Sequence, residues 1–122
     1  MIREIVAVGI GGALGSMSRY LVSYVWLAEQ SLLGFPAGTF TVNAAGSLLM
    51  GFLLEMLGAG TASWLLSVGF CGGFTTFSTF MNEGAGLMKE ENYLYMMLYL
   101  FGSLALGLIA VLAGHYLAKM IA

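Results

Sequence analysis

Gly69-Phe70-Cys71-Gly72-Gly73-Phe74-Thr75-Thr76-Phe77-Ser78-Thr79-Phe80-Met81-Asn82-Glu83 lies in the middle of a long apolar region, yet it is a poor sequence for an unbroken helix. Gly72 and Gly73 each weaken a helix by about 1 kcal/mol relative to Ala. The hydroxyls of Thr75, Thr76, Ser78 and Thr79 offer the backbone alternative hydrogen bonds. Phe77 and Phe80, three residues apart, fall on one face of the helix that resumes beyond. At membrane depth, loosened backbone is tolerated only where protein surrounds it or a wet cavity adjoins it. The stretch therefore reads as a site, and the interruption is expected near Gly72 to Thr76.

Composition says why membrane depth is the right frame. Of 122 residues, 60% are hydrophobic and 8% charged, and mean hydropathy is +0.94. A soluble domain this small keeps too much of its area in water to hide that apolar surface. A spanning helix needs roughly 20 apolar residues, so the length allows about four spans with short connections. The start, with Arg3 and Glu4 before an apolar run that continues past any cleavage site, is not expected to be a removable signal peptide. Cys71 stands alone, which excludes an intrachain disulfide and a thiolate metal cluster. Net charge is −2 and scattered, with no basic patch for nucleic acid.

The expected fold is an all-α integral membrane protein in which residues 1–122 form a single four-helix transmembrane domain. The first helix runs from about Ile5 to Trp26, with Tyr24 and Trp26 suited to an interfacial belt. A connection near Leu27 to Ala37 holds Glu29, Gln30 and Pro36. The second helix runs from about Gly38 to Leu57. Gly58 to Thr61 turn into a third helix, Ala62 to Met88, with its interruption. Lys89, Glu90, Glu91 and Asn92 connect to a fourth, Tyr93 to Lys119.

Small residues mark close approach between membrane helices, whose association depends on van der Waals contact. Gly11 with Gly15, Ala110 with Gly114, and Ala45, Gly46 and Gly51 are such positions. Packing within one protomer accounts for many of them. Four helices can hardly enclose a polar pathway and also shield it from lipid, so a homo-oligomer, most simply a dimer, is expected. The cations add to this. Arg3 and Lys119 fall on one side, and Lys89 and Arg19 (if it lies towards the end of its helix) on the other. Orientation needs an excess of Lys and Arg on one side, so insertion in both orientations is expected, which permits an antiparallel homodimer.

Polar groups inside the spans are expensive in lipid and are functional candidates by default. Arg19 either snorkels to the interface or lines an aqueous vestibule that attracts anions. Asn43 and Ser47 are four apart and share a face of the second helix. Asn43 serves either as an interhelical hydrogen-bond partner or as part of an ion path. Tyr99 and Ser103 are four apart on the fourth helix, with Gly107 continuing that face. Glu55 and Glu83 lie near span ends and do not read as buried proton carriers, His115 reads as interfacial, and Cys71 as a small buried hydrophobe.

The runs G-G-A-L-G-S-M-S-R-Y (11–20), G-T-F-T-V-N-A-A-G-S-L-L-M-G-F (38–52) and G-G-F-T-T-F-S-T-F (72–80) resemble the Fluc (CrcB) fluoride channels of microorganisms. The likeness covers the whole chain in length, number of spans and motif order. It implies a fluoride-specific channel, a multi-pass protein of the cell inner membrane that exports fluoride passively and gives fluoride resistance. Members are antiparallel dual-topology homodimers with two pores. By resemblance, the backbone carbonyls of Gly72 and Thr75 from both subunits hold a central structural sodium ion. Phe77 and Phe80 turn ring edges to fluoride, with Asn43 near those rings. Ser78, Thr79, Tyr99 and Ser103 supply hydroxyls along the path, and Arg19 belongs to the vestibule. Gly107 departs from the pattern, since some members carry a serine there, so the hydroxyl track ends differently here.

Elementary chemistry agrees with these roles. Fluoride is small and strongly hydrated, so a narrow pore must replace its water with hydroxyl and amide hydrogens. Aromatic rings have a positive edge and can flank an anion without holding it too tightly to leave, the balance that conduction demands. Carbonyls at a broken helix are hard donors suited to sodium. No acid–base pair, nucleophile dyad or nucleotide loop stands out, so an enzyme is not expected. A small multidrug exporter of similar length needs a carboxylate in the middle of its first helix, where this chain has only Glu4 at the start. A purely scaffolding subunit explains the glycines but not a Phe-x-x-Phe pair beside a break.

Overall fold

In the computed structural model, residues 1–26 and 36–121 are described. The connection holding Glu29 and Gln30 lies outside the described residues, as does the side chain of Trp26. The chain forms helix α1 (Ile2–Tyr20), continued by wider π-helical winding over Leu21–Trp26. α2 is Ala37–Leu57. The third span begins with α3 (Thr61–Ser63), widens into a π-helical stretch Trp64–Cys71, and tightens again in α4 (Gly72–Phe74). It resumes as α5 (Ser78–Lys89), and α6 is Tyr93–Ile121. Four helical stretches, Ile2–Val25, Ala37–Leu57, Thr61–Lys89 and Tyr93–Ile121, are long and apolar enough to cross a membrane. Among the described residues there is no strand.

Local chemistry explains the ends. Gly58 (φ 61°) and Gly60 (φ 139°) take backbone conformations that side chains disfavour, which makes the turn between α2 and α3 tight. At the other connection Glu91 adopts φ 58°, and Asn92 caps α6 by accepting a hydrogen bond from the Tyr95 amide through its Oδ1 at 3.4 Å.

Packing is pairwise. α1 lies against the first half of the third span, and α2 lies against α6. Gly11 and Gly15 sit so close to that half that an added methyl at either would run into the backbone of Leu65 or Phe70. A methyl at Gly51 would run into Val111, and one at Gly114 into Leu48. The G-x-x-x-G pair of α1 and the Ala110–Gly114 pair of α6 therefore join helices within the protomer, while Ala45 remains exposed on its surface.

The aromatic core is small: Phe80, Leu87 and Tyr99 are buried together, with Phe40, Tyr95, Met96 and Leu100 packed around them. Large apolar side chains such as Leu98, Phe101, Leu108, Ile109 and Leu112 of α6 are exposed. A helix that is apolar all round but covered on one side only is built for a lipid solvent or a further protein surface.

The third span differs from expectation in where it breaks. Gly72 and Gly73 are helical, with Gly72 at φ −62° and ψ −38°. The chain leaves the helix at Thr75, which is extended at φ −87° and ψ 162°, and the break is Thr75-Thr76-Phe77. Glycine permits a break without enforcing one. Gly73 is instead required because the backbone of α1 at Gly12 occupies the space of a side chain. The threonines make the break, through hydrogen bonds set out below.

Candidate functional site

Thr75 turns back on the helix it leaves. Both its amide (3.0 Å) and its hydroxyl (2.9 Å) donate to the carbonyl of Cys71, closing off α4. Thr76 then commits all its polar groups. Its amide donates to Asn43 Oδ1 at 2.8 Å, and its carbonyl accepts from Asn43 Nδ2 at 3.0 Å. Its hydroxyl accepts from the amide of Thr79 at 3.3 Å, capping the first turn of α5. A carboxamide from α2 thus grips one residue of the break by both backbone groups, as a neighbouring strand would.

Arg19 braces the other side. Its Nε donates to the carbonyl of Gly73 at 3.1 Å, one of the carbonyls that a helix end leaves without an intrahelical partner. A cation at a helix C-terminus also complements the helix dipole. Arg19 therefore stands in the last turn of α1 at the level of the break, short of the end of the span Ile2–Val25, so the condition for counting it with Lys89 is not met. Without it, Arg3 and Lys119 face Lys89 alone, still only a slight bias.

The break opens a cleft of about 370 Å³. Its lining brings together Asn43, Thr75, Phe77, Phe80 and Ser103 among the expected residues, with Ser47, Thr76 and Gly107 beside them. Leu104, Leu108 and Val111 of α6 make the rest of its wall apolar. The rings of Phe77 and Phe80 are 6.2 Å apart and tilted by 56°. They differ in support: Phe77, at the start of α5, is 71% exposed, whereas Phe80 is 5% exposed. The Phe80 ring meets Tyr99 edge-on at 5.0 Å and 63°, a favoured aromatic geometry.

Other expected residues stand off the cleft. Tyr99 is wholly buried, and its hydroxyl donates to Glu83 Oε1 at 3.2 Å. Its direct part is to back the Phe80 ring. Ser78 is exposed and Thr79 half-buried, and neither contributes to the lining. Ser103 Oγ is buried and has no hydrogen-bond partner in the protomer. A buried unpaired hydroxyl costs stability unless something else uses it.

At Gly107 the neighbouring polar atom is Ser47 Oγ, 3.9 Å from where a β-carbon would stand. A hydroxyl from α2 therefore serves the position where α6 has none.

Gly72 and Thr75, expected to hold a cation, fit that task in donor chemistry. In an unbroken helix the Gly72 carbonyl would accept from the amide of Thr76, but that amide is committed to Asn43. Gly72 is exposed, and no other part of the protomer comes within 4 Å of its missing side chain. A backbone carbonyl left without its intrahelical donor is a hard oxygen of the kind that suits such a cation.

Sequence reasoning left Thr76, Ser47 and Glu83 out of the site. The spacing of Ser47 from Asn43 was the available signal for one of them. Thr76 was visible only as another hydroxyl, and its role depends on a partner 33 residues away.

Comparison with known proteins bears on the whole chain. The sequence pattern of the family described as CrcB-like protein, Camphor Resistance (CrcB), matches residues 6–115. A relative from Chlorobaculum tepidum, named fluoride-specific ion channel FluC, is 46% identical over 98% of this chain and 98% of its own. One of the same name from Bacteroides fragilis is 46% identical over 96% of this chain and 97% of its own. A relative from Clostridium acetobutylicum, named fluoride-specific ion channel FluC 2, is 34% identical over 93% and 96%.

Proposed function

The chain belongs to the CrcB-like family, and from that membership we propose that this multi-pass membrane protein is a fluoride-specific ion channel that lets cytoplasmic fluoride leave passively. The relatives carry the name of a channel and not of an enzyme. The observation that carries the reading to particular residues is the cleft at the break, where two phenylalanine rings and an unpartnered Ser103 hydroxyl line one space.

The division of labour follows from the bonds. Ser103 has a proton to donate, and Asn43 keeps the second hydrogen of Nδ2 after serving Thr76. These hydrogens replace part of the water that fluoride sheds. Phe80, fixed by Tyr99, offers a ring edge of set direction, and Phe77 offers a looser one. Ser47 extends the donors past Gly107. Ser78, Thr79 and the Arg19 vestibule belong to the approach to this cleft. A wall of Leu104, Leu108 and Val111 keeps the path narrow and weakly binding.

The functional unit is a homodimer inserted in opposite orientations, with one such pathway per protomer and a sodium ion at the centre. The exposed face of Gly72 and the slight charge bias support that arrangement. The residues that would hold the ion are Gly72 and Thr75, through their carbonyls, and when bound it supplies positive charge that draws these oxygens of both protomers together. Reconstitution into liposomes tests the function: fluoride leaves and chloride stays. Equal loss of chloride, or no loss of fluoride, contradicts the reading.

A further inference from the structure

We propose that Asn43 is a positioning residue for the central cation site, and that one peptide plane couples the anion cleft to it. The inference rests on the reading of Gly72 and Thr75 as cation ligands. Thr75 and Thr76 share a peptide bond, and no peptide bond among the described residues is cis. In a planar trans peptide the C=O and N–H point in opposite directions. Asn43, which lines the cleft, holds the Thr76 N–H at 2.8 Å. The Thr75 carbonyl on that same plane is therefore turned away from Asn43.

The clamp leaves that plane little freedom. Thr76 is held twice by Asn43, and its hydroxyl is held by the first turn of α5. On the near side, Thr75 is tied to Cys71 by amide and hydroxyl. Rotation of the 75–76 peptide, which would swing the Thr75 carbonyl off the cation, breaks the Asn43 Oδ1 bond first. The same bond keeps the Thr76 amide from capping Gly72. Asn43 thus frees one cation ligand and aims the other while standing in the wall of the anion path.

The two halves of the carboxamide make separable predictions. Asn43→Ala removes both bonds to Thr76. Asn43→Asp keeps an oxygen for the Thr76 amide, and so keeps the carbonyl aimed, while putting a negative charge in the cleft. The purified full chain is passed into sodium-free choline buffer, its retained sodium is measured, and its dimer fraction is followed as sodium is added back. Wild type and Asn43→Asp retain sodium, whereas Asn43→Ala needs about tenfold more for the same dimer fraction, the size expected for one lost orienting hydrogen bond. Fluoride flux falls in both variants.

Sodium retention by Asn43→Ala equal to wild type overturns the inference, and so does loss of sodium by Asn43→Asp. If neither variant folds, the wild type decides: replacing sodium by choline shifts the Thr76 amide and Asn43 carboxamide nitrogen resonances in isotope-labelled protein. Unmoved resonances overturn the inference. A wild type that holds no sodium overturns it too, and fluoride efflux from that same preparation shows separately whether the channel reading stands.

Discussion

Phe77 and Phe80 look equivalent in the sequence and are not equivalent in the protein. Phe80 is buried against Tyr99, whereas Phe77 has little protein around it. Phe80→Ile discards a ring that lines the cleft together with its Tyr99 contact, worth about 0.5–1.5 kcal/mol beyond area burial. It is expected to cut fluoride flux and to lower the melting temperature slightly while the dimer persists on gel filtration. Phe77→Ile is expected to cut flux with no loss of melting temperature, and a destabilisation as large as that of Phe80→Ile would contradict the difference in burial. Thr76→Val removes the cap on α5 while leaving the backbone for Asn43, at a cost of about 1 kcal/mol. Faster hydrogen exchange at Thr79 reports that loss. Single residues were readable in the sequence as far as their chemistry goes, but not their partners. Asn43 was visible as a polar amide inside a span, yet its grip on Thr76 spans 33 residues, and the reach of Arg19 to Gly73 spans 54. Spacing along one helix carries no information about such pairs.

The third span was legible as a broken helix because glycines and hydroxyls cluster there. The position of its break was legible only in part, since Thr75 and Thr76 fall inside the expected stretch and Phe77 beyond it. Propensity placed its start at Gly72, but both glycines are helical, Gly73 with Gly12 of α1 packed against it. Propensity is a weak prior that tertiary context overrides. The same distinction separates glycines that matter for fit from glycines that do not. Gly15→Ala forces α1 away from Phe70, and overpacking of this kind costs about 1–3 kcal/mol. Gly86 has open space around it within the protomer. Gly15→Ala is therefore expected to unfold at lower temperature in detergent, and Gly86→Ala at the same temperature as wild type or higher. Equal melting of the two variants would mean that α1 and the third span are not held by that contact.

At the scale of the molecule, hydropathy alone located all four spans, because about 20 apolar residues in a row have few other uses. The cation count behind dual topology was less secure, since it included Arg19 only if that residue lies towards the end of its helix, and the structure puts it in the last turn of α1 beside the break, short of the end of the span. What remains, Arg3 and Lys119 against Lys89, is a bias small enough to be reset. Two added lysines beside Lys89 are expected to lock one orientation and abolish flux. Co-expression with a variant in which Lys89 is neutralised and lysines are added beside Arg3 restores it. Flux from the locked variant alone would contradict an antiparallel pair. The central claim is that the break in the third span makes a fluoride path. A fluoride electrode beside liposomes carrying the purified chain tests it most directly. The account predicts that fluoride pours out when the membrane potential is released, that chloride does not follow, and that Phe80→Ile slows the release by an order of magnitude or more. Liposomes that keep their fluoride, or a Phe80→Ile protein that releases it as fast as wild type, would contradict it.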